Sequence, residues 1–191
     1  MKKRIGAIAV AAVLAGLSVG AAPSVTLKDV DGRRVDPFAA PANVKTLVFL
    51  FTSIDCPISN RYAPVVRQLN DTFAPKGVQF WLVYPNPFDT PDGVRKHLKD
   101  YSYTNGALLD PDHALARIAH ATVTPEAAVF DRQGRELYHG RIDDRYVNLS
   151  VERPAPTRHD LADALANAVA GKATVPAETV PVGCFIADFV K

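Results

Sequence analysis

Leu47 to Phe51 is an unbroken apolar run rich in strand formers, the pattern of a β-strand covered on both faces. Val78-Gln-Phe-Trp-Leu-Val-Tyr84 repeats that pattern. Between the two runs the period changes to helical: Tyr62, Val65, Val66 and Leu69 share one face, while Arg61, Arg67, Gln68 and Asn70 lie mostly outside it. A helix from Pro57 to about Phe73 follows, with a kink at Pro64, since an interior proline removes a ladder hydrogen bond. The strand-helix-strand unit makes the two strands parallel neighbours with a right-handed crossover.

The remaining pattern builds around this unit. Ser24 to Val35 reads as a hairpin turning at Asp31-Gly32, and Asp36 to Asn43 as a loop. A helix is expected from Pro91 to Tyr101, a short strand over Ala107 to Asp110, and a short helix from His113 to His120. Ala127 to Asp131 and Arg135 to His139 form a second hairpin around Gln133-Gly134. Gly140 to Pro156 reads as irregular and charged. Arg158 to Gly171 is a closing helix with Leu161, Leu165, Ala168 and Val169 inward and Gly171 as its cap. The tail, 172–191, is punctuated by prolines. The order places a mixed central sheet between helices, an α/β domain over 22–171.

The first residues alter the charge balance. Met1-Lys-Lys-Arg4 is basic, Ile5 to Val19 is apolar and small, and Val19-Gly20-Ala21 resembles a cleavage site, so 1–21 reads as an export signal. The run is short for a bilayer span of roughly 20 residues, so membrane contact is expected only through the cleaved signal. The chain carries a formal +2. Loss of Lys2, Lys3 and Arg4 leaves 19 basic against 20 acidic residues, a net −1. With no basic stripe left, no nucleic-acid partner is expected. A hydrophobic fraction of 48% supports a real core.

Export into an oxidising compartment, periplasmic or extracellular, gives the 2 cysteines their meaning. Cys56 follows the first buried strand, and Pro57 suits the first helical position. Cys56 then sits at or beside the N-cap, facing unpaired N–H groups and the positive helix end, which stabilise a thiolate. Asp55 opposes that charge if it points inward, and Arg61 is a candidate electrostatic helper. Cys184 lies in Val180-Pro-Val-Gly-Cys-Phe-Ile186, where Gly183 allows close backbone approach and Phe185 and Ile186 supply apolar anchors. A static disulfide, a redox-active pair and a loose tail cysteine are all compatible with two cysteines so placed. The 5 histidines, at 97, 113, 120, 139 and 159, show no ligand spacing, and neither a metal nor a cofactor is expected.

Three features carry a resemblance over roughly Val25 to Gly171: the strand-turn-Cys56-Pro-Ile-Ser59-helix, Val123-Thr-Pro-Glu-Ala-Ala-Val129, and the hairpin turn Asp131-Arg-Gln-Gly134. Together they resemble the thioredoxin-like superfamily, in its redoxin branch of alkyl hydroperoxide reductase and thiol-specific antioxidant proteins. The resemblance implies a thioredoxin-like fold. It also implies a cis bond at Thr124-Pro125, packed on the cysteine as part of a substrate-docking loop. The departures are specific. Ser59 replaces the second cysteine of Cys-x-x-Cys and can donate to the Cys56 sulfur, but cannot form a disulfide. Leu50 stands where thioredoxins carry a buried acid. In the peroxidase signature Ser53 can imitate the threonine, but Phe49 cannot imitate the proline. Arg141 is similar in placement to the arginine that supports the cysteine in peroxiredoxins, or else pairs locally in a solvated loop.

The expectation is an exported thiol-dependent oxidoreductase with Cys56 as nucleophile. Its substrates are protein disulfides or hydroperoxides, Cys184 acts as resolving residue, and an external thiol serves as reductant. Two alternatives stand beside it: a peroxiredoxin-type peroxidase, and a copper-binding thioredoxin-like assembly protein. The copper role needs Cys56, Cys184 and one histidine to converge.

Overall fold

The computed structural model describes residues 23–186, so the proposed signal over 1–21 lies outside the described residues. Seven strands form one mixed sheet. They are β1 (Leu27–Asp29), β2 (Arg34–Val35), β3 (Thr46–Phe51), β4 (Val78–Tyr84), β5 (Gly106–Leu109), β7 (Glu126–Asp131) and β8 (Glu136–Gly140); β6 (Val123–Thr124) lies outside it. The strand order is β2-β1-β5-β4-β3-β7-β8. β3 runs parallel to β4 and antiparallel to β7, so the strand leading to Cys56 is central.

All six residues of β3 are buried, and its side chains alternate between two cores as strand geometry requires. Val48 and Leu50 face a core that includes Val66, Leu69, Leu161 and Leu165. Those residues belong to α2 (Ala63–Phe73) and α5 (Asp160–Val169). Leu47, Phe49 and Phe51 face the other core, with Phe38, Phe130 and Leu115 of α4 (Ala114–Ile118). Leu50 is 2% exposed in the first core, beside Cys56. An aliphatic chain buried there contributes about 1.5–3 kcal/mol, where an unpaired carboxylate would cost free energy.

The helix expected from Pro57 to Phe73 is divided, not merely kinked. α1 (Pro57–Arg61) ends at Tyr62, and α2 begins at Ala63 with Pro64 in its first turn. Proline is tolerated in a first turn and disfavoured in an interior, so the break moves ahead of it.

Gly140 to Pro156 is also more ordered than its charge suggests. It holds a hairpin of β9 (Tyr146–Asn148) and β10 (Val151–Glu152), and Ile142, Asp143 and Asp144 are buried. The Asp144 carboxylate accepts from the backbone N–H groups of Thr157 and Arg158, at 2.6 and 2.9 Å, which secures the approach to α5. α3 (Pro91–Asp100) starts at Thr90, whose hydroxyl accepts from Gly93 N at 3.2 Å. Among the described residues the tail closes with β11 (Cys184–Phe185), paired antiparallel with β6.

Candidate functional site

Cys56 is 2% exposed and caps α1 in an extended conformation, with Pro57 as the first helical residue. The turn before it is tied to two neighbouring elements. Asn60 Nδ2 donates to Ile54 O at 2.9 Å, and Asn60 Oδ1 meets His97 Nε2 at 2.7 Å. His97 Nδ1 lies 2.9 Å from Tyr84 OH. Because the Asn60 oxygen accepts, His97 carries its proton on Nε2 and the tyrosine donates to Nδ1. Burial holds the His97 pKa below its ordinary value, which keeps this neutral arrangement.

The Thr124-Pro125 peptide is cis, the isomer implied by the resemblance. Thr124 is 3% exposed, and its carbonyl accepts from the Cys56 thiol at 3.0 Å. Glu126, 2% exposed, fixes the strand leading into this bend: Oε2 accepts from Thr122 N at 2.8 Å and Val123 N at 3.2 Å. Burial raises the Glu126 pKa and those two donors oppose the rise.

Cys184 pairs in register with Thr124, and Phe185 with Val123. Ile186 N donates to Thr122 O at 2.9 Å. The tail therefore lays its cysteine beside Cys56, and both thiols are free.

Two opposed influences set the acidity of Cys56. Burial raises its pKa, but donors to the sulfur outweigh burial and leave it below the ordinary value. These donors are the Cys184 thiol, the Ser59 hydroxyl and N–H, and the Thr124 hydroxyl. The buried Ser59 hydroxyl makes no hydrogen bond of full geometry while Cys56 is a thiol, and is free to turn to the thiolate, whose pKa it lowers. Cys184 moves the other way: burial, donation to Cys56 and the Cys56 charge push its pKa up to about 12.

The two thiols border a cleft of about 270 Å³, lined also by Ser53, Asp55, Thr124 and the Pro85–Phe88 loop. Phe88 and Phe185 stand at its rim, 73% and 81% exposed. Of the residues singled out from sequence, Cys56, Ser59, Thr124 and Cys184 meet at the sulfur, with Pro125 in the cis bond beside them. Ser53 and Asp55 reach the cleft wall, and Asp55 is exposed.

Arg61 and Arg141 are not among the residues lining the cleft. Arg61 pairs with Glu152 at 3.1 Å, and Arg141 Nε donates to Asp160 at 2.7 Å. Asp160 is nearly buried in the first turn of α5 and competes for the Arg141 guanidinium, which explains that placement. Phe49 packs against Phe38 and Phe130 in the opposite core, so the position of the peroxidase proline is here a packing position. Among the described residues, no group of three His, Cys, Asp or Glu side chains converges.

The pattern reading missed Asn60, His97 and Glu126, whose polar side chains reveal nothing in sequence about their partners. It also missed Asp89, 8% exposed behind the Ser53–Asp55 turn.

A central β3, a cysteine at a helix start and a cis-proline loop define a thioredoxin-like fold. A family model described as Redoxin matches residues 18–150, and the chain belongs to that family. No curated protein matches the sequence. Among solved structures, an uncharacterized conserved protein from Geobacillus kaustophilus is 25% identical with TM-score 0.75, over 87% of this chain and 89% of its own. A hypothetical protein from Sinorhizobium meliloti is 24% identical with TM-score 0.74, over 90% and 94%. A secreted Mycobacterium tuberculosis disulfide oxidoreductase, described as homologous to E. coli DsbE, is 18% identical with TM-score 0.53, over 77% and 95%. The chain is a redoxin-family protein with the fold of thiol-disulfide oxidoreductases.

Proposed function

We propose that the protein is an exported thiol-disulfide oxidoreductase acting on protein disulfides, with Cys56 as nucleophile and Cys184 as resolving cysteine. The observation that carries this reading is the docking of Cys184 on the cis-proline loop, beside a cysteine whose thiolate accepts several hydrogen bonds. Export to the periplasm or outside the cell rests on the signal-like segment over 1–21. The fold is shared with a secreted disulfide oxidoreductase.

The chemistry is two exchanges. The Cys56 thiolate attacks one sulfur of the partner's disulfide, and the other sulfur leaves as a thiolate. Cys184 then attacks Cys56, giving a Cys56–Cys184 disulfide and freeing the partner's second thiolate, which takes up the proton lost by Cys184. The partner gains two electrons and the pair loses two, which an external dithiol restores.

The Cys184 pKa is raised most by burial, and the rest of its elevation depends on the state of Cys56. Two of its three causes, donation to Cys56 and the Cys56 charge, disappear once Cys56 is bonded to the partner. Cys184 thus stays a thiol while Cys56 is free, and ionises more readily when it is needed. Ser59 and Thr124 donate to the Cys56 sulfur as it leaves in the reverse exchange. Phe88 and Phe185 give the cleft an apolar rim suited to a polypeptide.

Reduction of insulin disulfides, with dithiothreitol as the terminal donor, tests the reading. Wild type accelerates it and Cys56→Ser does not. Equal rates for the two would overturn the reading.

A further inference from the structure

The tail is held at two places. Its root runs along the edge strand β8: His139 N donates to Ala177 O at 3.0 Å, and Thr179 N to His139 O at 3.1 Å. The Thr179 hydroxyl lies 2.6 Å from Tyr138 OH and accepts from Arg141 N at 3.1 Å. Tyr138 OH in turn donates to Arg141 O at 2.6 Å, so Thr179 is the donor to the tyrosine oxygen. Thr179 thus uses its hydroxyl both as donor and as acceptor against a tyrosine 1% exposed. Gly140 permits the approach: its φ is +134°, and a β-carbon there would fall 2.1 Å from Thr179 O. The distal end is held by two paired residues on β6, the Ile186–Thr122 bond and the packing of Cys184 and Ile186 against the two cores, while Phe185 between them is exposed. Between root and end lies Val180-Pro-Val182, where Val180 is 80% exposed and Val182 is half-buried against the core.

Building on the reading of Cys184 as the resolving residue, we propose that Thr179 is a positioning residue: it clamps the tail root to β8, so that residues 183–186 leave and regain the β6 edge while Cys184 stays within reach of Cys56. A polypeptide partner that takes the β6 edge lifts only this end. The root keeps the local concentration of Cys184 high, so resolution is an intramolecular step. An untethered tail would dilute Cys184 over a larger volume. The covalent steps and their electron balance are those given above.

The test measures the Cys56–Cys184 disulfide in the full chain at equilibrium with glutathione and glutathione disulfide, as an effective concentration. Thr179→Val removes both hydroxyl bonds and nearly keeps the volume. It is expected to lower the effective concentration about fivefold or more, the size of one to two hydrogen bonds. Thr179→Ser keeps the hydroxyl and restores the wild-type value. Gly140→Ala forces Thr179 away and lowers the value further. A merely structural role for Thr179 would lower thermal stability and leave this constant unmoved. If Thr179→Val and Gly140→Ala both match wild type, the clamp is wrong while the resolving role stands. If wild type itself forms no Cys56–Cys184 disulfide, the resolving role fails and the clamp falls with it.

Discussion

Gly183 lies against Thr124 so closely that a β-carbon at 183 would come within 2.2 Å of the Thr124 carbonyl oxygen. That oxygen also accepts from the Cys56 thiol. One backbone carbonyl therefore registers both the nucleophile and the tail that brings Cys184. Gly183→Ala is expected to lift the tail end from β6. Amide exchange at Ile186, whose N–H bonds Thr122 O, speeds up at least tenfold, about the loss of one hydrogen bond and its pairing. Free-thiol counts after mild oxidation rise in parallel. Unchanged exchange at Ile186 would show that the close approach is not required.

The acidity of Cys56 depends on donors that can be removed singly. Cys184→Ala and Ser59→Ala each take a hydrogen bond from the thiolate, so each raises the Cys56 pKa. Cys184→Ser keeps a donor and shifts it less. The rate of Cys56 alkylation against pH reads the midpoint directly. A midpoint in Cys184→Ala at or below that of wild type would refute the assigned role of the tail thiol.

Asp89 contributes a pH-dependent term to stability. Burial pushes its carboxyl up to about 6 and the nearby Asp55 charge adds to the rise, against donation from Ile54 N–H and the Ser53 hydroxyl. The folded pKa exceeds the ordinary 3.8, so the folded state binds the proton more tightly than the unfolded state. The stabilisation is complete below about pH 4 and is lost as pH rises through about 6. Asp89→Asn removes this loss. Urea midpoints at pH 4 and pH 7 should show the variant gaining on wild type at the higher pH, and a gap independent of pH would contradict the assignment.

Glu126 holds the cis-proline approach from within the core. Glu126→Ala leaves the N–H groups of Thr122 and Val123 without their acceptor, at about 1–3 kcal/mol for each donor that stays buried. Chemical denaturation should show a loss of about 2 kcal/mol or more. A loss under about 0.5 kcal/mol, the range of ordinary surface substitutions, would mean that water replaces the carboxylate there.

The apolar runs made the fold legible. Leu47–Phe51 and Val78–Tyr84 admit few places other than the centre of a sheet, and Cys56-Pro57 marks a helix start by local chemistry alone. Thr124-Pro125 was legible only through resemblance, because nothing in the local sequence selects its isomer. Thr179, Glu126 and the Asn60–His97–Tyr84 chain were not legible, since their partners lie far away in sequence and polar residues carry no period. Arg141 shows the same limit in reverse. Its position after the β7–β8 hairpin allowed support of the cysteine or a local pair in a solvated loop, but the nearly buried Asp160, on a helix whose docking no local pattern reveals, holds its guanidinium instead.

The direct test of the division of labour is the intact mass of Cys184→Ser after exposure of the reduced protein to glutathione disulfide. Cys56 should hold one glutathione as a stable mixed disulfide, while wild type under the same conditions carries no adduct and has lost two hydrogens to the Cys56–Cys184 bond. A Cys184→Ser protein without an adduct, or a wild type that keeps glutathione on Cys56, would contradict the account.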